Sequence, residues 1–454
     1  MAQGTYMKTN PRIIACLTVA VLTLYARALP AADAPAEKPN IIFILADDYG
    51  IGGVGCYGSD NFKTPQIDSL AKGGIRYTHA YVTPLCGPTR ALILTGRYGF
   101  RTGAVNQDQT GLFTPAAETM MPKVLKAAGY VTSMVGKWGQ LPPGPAEFGF
   151  DDYLKFKGSG TYWNTQDRGK TYELNGKNVQ LRDKEYLPDV MHQHVVDFIT
   201  KHRKQPFYVY YSLSHVHADI LPTPDSAPGT TNLFQLYQDN VAYMDKLVGK
   251  LVAELERLKL RDNTLIIFVG DNGTTGKYSP PSSIGGRRLS GEKGSMLEGG
   301  ALVPLIANWP GVVPAGKVSP DFIDGCDFFP TFADLAGAKL PEKTIIDGQS
   351  FAPQLRAQKG EPHDWAFNQL AKQWWVREDG WKLNQAGELF DMSDAPFAEK
   401  LVAADTKDPA AIAARKRLQP ILDKLNPAGG ILDQGDGTGR HANKAQKQKT
   451  TSEE

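Results

Sequence analysis

The residues of this chain that could do chemistry stand in a few short runs. In Leu85-Cys86-Gly87-Pro88-Thr89-Arg90 a cysteine precedes a Pro-Thr-Arg start, and the chain continues through apolar residues to Leu94-Thr95-Gly96-Arg97. Pro88 suits the first position of a helix and Gly96 suits its end. Cys86 is thereby expected at the positive end of a helix dipole, where free backbone N–H groups attract an anion. Arg90, one turn on, is expected to reach back over the same spot and fork onto an oxyanion. Asp47-Asp48 is an adjacent acid pair. Burying two like charges is costly unless a cation lies between them, and hard oxygen ligands select Ca²⁺ or Mg²⁺ over zinc. Asp271-Asn272 adds a third carboxylate and an amide oxygen, Lys137 adds a cation, and His215 and His217 share one face of an extended segment. The plainer readings are a structural thiol at Cys86, solvated turns at the acidic pairs, and surface side chains at Lys137 and the histidines.

The elements that must position these groups share one pattern. Residues 39–46, 130–135, 207–213 and 264–269 read as apolar or β-branched strands, and each delivers polar groups just past its C-terminal end. Open α/β sheets bind ligands at that edge. Four such strands, with a helix N-terminus bearing Cys86, describe one concave charged pocket. Around them, residues 64–73 read as a helix with Thr64 as N-cap, 75–82 as a strand leading to Cys86, and 119–128 as a helix closed by Gly129. Residues 148–163, aromatic and Gly-rich, read as a surface loop bordering the site. Residues 187–202 and 233–258 read as amphipathic helices, with His194 on the apolar face of the first and His192 off it. Residues 276–291 read as a mobile loop. Past Phe351 the composition shifts to short antiparallel strands near 374–377, 381–383 and 388–391, then a helix over 411–425. From Asn426 the chain is polar and is expected to be disordered.

The chain has 454 residues, enough for a large α/β domain and a smaller one, and its 41% hydrophobic and 22% charged content is that of a soluble globular protein. Net charge is +2, and no basic cluster interleaves with aromatics, which argues against a nucleic-acid partner. Lys8 and Arg12 precede an apolar run over 13–25, with small residues for cleavage at 26–28 or 31–32. Residues 1–32 therefore read as a secretory signal peptide, too short for a stable membrane anchor. The protein is expected to be exported, to a periplasm or the medium. Cys56, Cys86 and Cys326 would remain after cleavage, without a CxxC or metal-type spacing. An exported protein with an odd count needs one cysteine set apart; with Cys86 set apart, Cys56 and Cys326 are left as thiols or as one bridge.

The run from Cys86 to Arg97 resembles the activation motif of the type I sulfatases, Cys-x-Pro-x-Arg followed by Thr-Gly-Arg. The resemblance continues through Gly136-Lys137-Trp138, the Pro222-Thr223-Pro224 turn after His217, Asp271-Asn272, Lys293-Gly294 and Glu298-Gly299-Gly300, and covers about residues 39–391. It implies an alkaline-phosphatase-like α/β fold: a large mixed, mostly parallel sheet flanked by helices, with a small C-terminal α+β subdomain containing a short antiparallel sheet. The implied domains are 39–355 (catalytic), 356–425 (C-terminal subdomain) and a tail over 426–454. It also implies that a maturation enzyme oxidises Cys86 to formylglycine, whose hydrate attacks the sulfur of a sulfate ester. The implied metal ligands are Asp47, Asp48, position 86, Asp271 and Asn272, around Ca²⁺ with Mg²⁺ second. Arg90, Lys137 and Lys293 would bind the sulfuryl group and His217 would protonate the leaving oxygen. Two departures stand out. Gly139 replaces a histidine that assists breakdown of the intermediate, for which His215 is a candidate substitute. The Arg of the family's Arg-x-Pro after Glu-Gly-Gly is missing ahead of Pro304. A sulfated carbohydrate is the expected substrate. The alternatives are a phosphodiesterase or phosphonate hydrolase of the same superfamily, and a silent binding protein for sulfated glycans.

Overall fold

The computed structural model describes residues 1–4, 38–111, 114–139, 141, 143–278 and 281–439. Residues 1–4 are exposed and without regular structure; the rest of the expected signal segment lies outside the described residues. From Lys38 onward the first half of the chain forms β1 (Asn40–Ala46), α1 (Pro65–Lys72), β2 (Ile75–Tyr81), α2 (Cys86–Thr95), α3 (Gly99–Thr102), α4 (Met121–Ala127), β3 (Val131–Lys137), β4 (Asp152–Phe156), β5 (Thr171–Leu174), β6 (Lys177–Gln180), α5 (Leu187–Lys201) and β7 (Phe207–Ser212). The second half forms α6 (Leu233–Arg257), β8 (Thr264–Gly270), the short hairpin β9 (Ser283–Ile284) and β10 (Arg287–Arg288), α7 (Glu298–Ala301), β11 (Leu305–Asn308), β12 (Lys317–Asp324), α8 (Phe328–Ala336), α9 (Ala352–Leu355), β13 (Ala366–Leu370), β14 (Gln373–Glu378), β15 (Trp381–Asn384), β16 (Leu389–Asp391), β17 (Lys400–Leu401) and α10 (Pro409–Leu425).

Among the described residues, ten strands make one sheet in the order β12-β2-β11-β8-β1-β7-β3-β4-β5-β6. The strands β8, β1, β7, β3 and β4 run parallel, while β11 and β5 run against their neighbours. The apolar sequence of β1 requires this central place: side chains alternate across a strand, so a strand apolar at every position needs cover on both faces. Ile41, Phe43 and Leu45 join the cluster that holds Ala91, Leu125 and Phe332 of α2, α4 and α8. Ile42, Ile44 and Ala46 join the opposite cluster with Ile67, Val195 and Met244 of α1, α5 and α6. In parallel register the strands finish together, which brings their C-terminal ends to one edge.

Several expectations change. Residues 148–163 are not a surface loop. They supply β4, and Phe148 and Phe150 are buried against Trp138, because the sheet extends past β3 and needs apolar cover there. Thr64 does not cap α1; its hydroxyl binds Asp68 at 2.9 Å, and Asp245 accepts from the Gln66 and Ile67 N–H groups instead. His192 is buried, and His194 pairs with Asp152 at 2.7 Å. Residues 287–288 are paired with 283–284, so that part of the expected mobile loop is a hairpin. Cys56, Cys86 and Cys326 are free thiols.

The strands β13 to β17 form an antiparallel meander whose Val376, Leu383 and Leu389 pack on Ala414, Leu418 and Leu422 of α10. The expected tail does not begin at Asn426. Residues up to 439 return to α3 and the segment after it: Ile431 N donates to Phe100 O at 2.7 Å and Gln107 N to Gly439 O at 2.8 Å. Backbone hydrogen bonding to that loop orders a segment whose composition alone would not. Residues 440–454 lie outside the described residues.

A buried charge network joins the meander to α7. Arg377 donates to Glu298 and to the Tyr81 hydroxyl, Lys382 pairs with Glu399, and the Glu298 N–H binds Glu399 at 3.0 Å. Arg377 and Glu298 are 2% and 1% exposed, so neither charge can recover water if its partner leaves. Arg377→Met is expected to cost roughly 3–5 kcal/mol by stranding Glu298. It should show as a lower urea midpoint for loss of the native fold; an unchanged midpoint would mean that Glu298 is not carrying an uncompensated charge.

Candidate active site

The site is assembled at the strand ends. Asp271 N donates to Ala46 O at 2.9 Å, Asp47 N to His215 O at 2.8 Å and Val216 N to Asp47 O at 2.7 Å, so the chains leaving β8, β1 and β7 stay bonded just past the sheet. Asp48 adopts a left-handed backbone at φ 57°, and its N–H is taken by Asp271 Oδ1 at 2.9 Å. That conformation is costly for a residue with a Cβ and turns the two adjacent carboxylates into one cavity. The helix α2 begins at Cys86 itself, two residues earlier than Pro88 would mark it, and ends at Gly96 with φ +67°. Cys86 therefore stands in the first helical turn. Lys293 comes from the other side, where Lys293 N binds Thr274 O at 3.0 Å and Gly294 N binds Pro84 O at 2.9 Å.

All nine expected site residues meet here. Lys137 Nζ is 2.7 Å from both oxygens of Asp47, Arg90 is 2.7 Å from Asp271 Oδ2, and Lys293 pairs with Asp48. Asn272 Nδ2 donates to Asp48 Oδ1 at 2.9 Å, and His217 Nε2 lies 3.8 Å from Asp48 Oδ2. The Cys86 Sγ and carboxylate oxygens of Asp47 and Asp271 lie within 4.8 Å of one another. Asp47, Asp48, Asp271, Asn272, Arg90 and Lys137 are all 2% exposed or less. Three acids face three bases, so the pairs offset a desolvation penalty that none could bear alone.

Burial would raise the Asp47 carboxyl, but Lys137, with His217, Arg90 and Lys293, outweighs it and holds it well below the usual carboxylate range. Burial and the neighbouring charge of Asp47 push Asp271 up, against Arg90 and Lys137. Burial works against the protonated form of Lys137 and Lys293, yet Asp47 and Asp48 respectively raise them and keep them charged. Burial lowers His217, with Asp47 and Asp48 opposing it. Its Nδ1 meets the Ala218 carbonyl, which can only accept, so Nδ1 carries a proton and Nε2 faces the pocket.

The donor set fits a hard divalent cation. Asp47, Asp48 and His217 form one close group and Asp47, Cys86 and Asp271 another. Asn272 Oδ1 is buried and has no hydrogen-bond partner among the described residues. An orphaned amide oxygen among three carboxylates is the chemistry of an oxygen-ligand site. The three acids and three bases cancel in formal charge. A divalent ion would leave the pocket net positive, suited to an anionic ester.

Two site expectations need correction. Arg90 does not fork onto the open pocket. It is 0% exposed, and its guanidinium is committed to Lys137 O at 2.7 Å, the Ser212 hydroxyl and Asp271, because the ends of β3, β7 and β8 converge on its terminal N–H groups. His215 does not stand in for the family histidine. Its ring lies among Tyr162, Tyr186 and Tyr243, binds the Tyr186 hydroxyl at 2.9 Å, and is held down at about 3 by burial. Gly139 sits at φ +82°, and a Cβ there would lie 3.2 Å from Arg90 Cδ, so this backbone has no easy place for a side chain. Sequence reading missed Ser212, which anchors Arg90, and Tyr162, whose hydroxyl holds the carbonyls of Ser214 and His217 at 3.0 and 2.9 Å. It also missed Gln107, whose amide oxygen touches Cys86. No motif marks these three; only the apposition of distant segments does.

Known proteins give the same answer as this geometry. The family model described as Sulfatase matches residues 39–338. N-acetylgalactosamine-6-sulfatase of Canis lupus familiaris is 34% identical over 370 residues, covering 74% of this chain and 69% of that protein. Steryl-sulfatase of Mus musculus is 30% identical over 453 residues, covering 80% and 72%. Among solved structures, Ps i-CgsB in complex with k-i-k-neocarrahexaose superposes with a TM-score of 0.77 at 29% identity, over 89% of this chain and 96% of that one. With its acids, bases and Cys86 gathered at the C-terminal edge of a mostly parallel sheet, this chain belongs to the sulfatase family, of the type I kind within the alkaline phosphatase superfamily, and is a sulfuric ester hydrolase.

Proposed function

We propose that this protein hydrolyses a sulfate ester of a sulfated carbohydrate, using position 86 as nucleophile after its conversion from cysteine to formylglycine by a maturation enzyme. The observation that carries the reading is the placement of Cys86 Sγ within 4.8 Å of the Asp47 and Asp271 carboxylate oxygens, at the start of a helix. As an aldehyde hydrate, that position would supply the hydroxyl that attacks sulfur while the ester S–O bond breaks, and its second hydroxyl, on losing its proton, would expel sulfate and restore the aldehyde. Asp47, Asp48, Asp271 and Asn272 would hold Ca²⁺, which would add positive charge beside a sulfuryl oxygen.

The chain's own residues do the rest. Lys137 and Lys293, kept charged by Asp47 and Asp48, offset negative charge on the sulfuryl group. Arg90 holds Asp271 and the end of β3 in place. His217 presents Nε2 to the pocket, and in the imidazolium form, which the charges of Asp47 and Asp48 favour against burial, it gives the leaving oxygen the Nε2 proton. Its side chain is 23% exposed, the most open of the charged groups here, as suits the group nearest an entering substrate.

The carbohydrate reading rests on shape and polarity. Beyond Trp138 and Gly139 lies an open cavity of about 560 Å³ lined also by Lys155, Lys157, Tyr172 and Glu173. Lys155 pairs with Glu173 at 2.8 Å, so Lys157 gives this lining its net positive charge, and a polar wall with Tyr172 suits a polar, anionic substrate better than a sterol. The similar structure of Ps i-CgsB holds a neocarrahexaose. Export is proposed from the Lys8–Tyr25 pattern, and no helix among the described residues is long and apolar enough to cross a membrane.

Mass spectrometry of the peptide containing position 86, from a host with maturation machinery, is expected to show the aldehyde; an unmodified thiol in an active preparation would refute the nucleophile. Cys86→Ala is expected to lower sulfate release by about 10³-fold or more. His217→Ala is expected to lower kcat by about 10²–10⁴-fold on an alkyl or sugar sulfate and far less on 4-nitrophenyl sulfate, whose leaving group needs no proton. An equal loss on both substrates would remove His217 from the acid role. Chelation is expected to abolish activity, with Ca²⁺ restoring it better than Mg²⁺; the reverse order would reassign the ion.

A further inference from the structure

The helix that carries Cys86 has no cap of its own. Leu85, at its N-cap position, makes no side-chain hydrogen bond to it. Gln107, twenty residues downstream, supplies one. Its amide oxygen accepts from Gly87 N at 3.1 Å and lies 3.6 Å from Cys86 Sγ. A backbone N–H can only donate, so the atom it meets is the carbonyl oxygen, and the amide orientation is fixed. The fit is close: a Cβ on Gly87 would lie 2.9 Å from Gln107 Nε2 and 3.0 Å from Oε1. The oxygen thus sits at the positive end of the helix and against the reactive side chain together.

Gln107 is in turn held from the C-terminal end of the described chain. Gln107 N binds Gly439 O at 2.8 Å, and the neighbouring Asn106 amide binds Asp433. Gln109 Nε2 donates to Leu432 O at 3.1 Å, and Gln434 N returns to Gln109 Oε1 at 2.8 Å. Each of these contacts spans more than 300 positions in sequence.

We propose that Gln107 is a positioning residue for the group at position 86, and that residues 431–439 act on the active site by holding Gln107. The proposal rests on the sulfatase reading for its consequence in turnover. An amide oxygen accepts one hydrogen bond from position 86, whether thiol or hydrate, and so directs the other face of that residue toward the sulfuryl group. It transfers no proton.

Two measurements test this. The first uses the full chain from a host without maturation machinery and reads alkylation of Cys86, Cys56 and Cys326 by iodoacetamide, peptide by peptide. Gln107→Ala is expected to speed alkylation at Cys86 by about fivefold or more, with Cys56 and Cys326 unchanged. Gly87→Ala, which favours the helix but displaces the amide, and Asp433→Ala, which loosens its support, should each move Cys86 in the same direction. Gln107→Glu keeps an acceptor oxygen and should leave Cys86 no faster than wild type. A Gln107→Ala rate within about twofold of wild type, or a rise shared by Cys326, overturns the proposal. The second measurement uses converted enzyme, where Gln107→Ala is expected to lower kcat about tenfold with KM for an aryl sulfate nearly unchanged; an unchanged kcat overturns it. Wild-type enzyme that carries the aldehyde but releases no sulfate would sink the functional reading alone, and the thiol measurement would still judge the positioning.

Discussion

Three buried carboxylates facing three buried bases set the terms for this structure. Asp47, Asp48 and Asp271 are withdrawn from water at the edge of the sheet, and Lys137, Lys293 and Arg90 answer them one for one. Each pair would be too costly to bury without its partner, since an ion loses several kcal/mol of hydration on entering such an interior. Yet the six together leave a pocket that is nearly neutral, polar throughout and ready to take a cation and an anion at once. The parallel sheet makes this possible, because five neighbouring strands finish at one edge and their following residues converge without any long side chain having to travel.

The bases differ in what they can reach. Arg90 is locked by contacts to Lys137 O, Ser212 and Asp271, so its geometry serves the scaffold. Lys137 and Lys293 are point charges on flexible stems, and it is on the proposed function that they would turn from a carboxylate to an arriving sulfate. That division follows from side-chain chemistry: a rigid planar fork is best used where its partners are fixed, and an ammonium where they change.

The small meander and the segment beyond α10 are more than a cap. The Arg377–Glu298 contact fixes α7, which closely follows Lys293, and residues 431–439 grip the loop that bears Gln107. Both add buried polar contacts to the apolar cluster in which Leu92 of α2 packs with Phe367 and Val376, so the position of the Cys86 helix depends on residues between 366 and 439 that bring no group into the pocket.

The sequence by itself determined the central sheet and the edge at which its polar groups gather. An apolar run such as residues 41–46 can only be a strand covered on both faces, acids placed just after such strands must meet at one edge, and a Cys-x-Pro-x-Arg run marks a helix start. Those inferences depend on local pattern, which short-range sterics and periodicity fix. What the tertiary structure alone decided was how groups from distant segments face one another. That Arg90 is committed to the strand ends, that His215 is enclosed by three tyrosines, that residues 148–163 give the sheet another strand, and that the polar residues after Asn426 fold back onto Asn106–Gln109 could not be read from composition. A polar side chain or a free backbone group has no pattern of its own; its partner is whatever the packing of the apolar elements happens to bring within hydrogen-bonding distance.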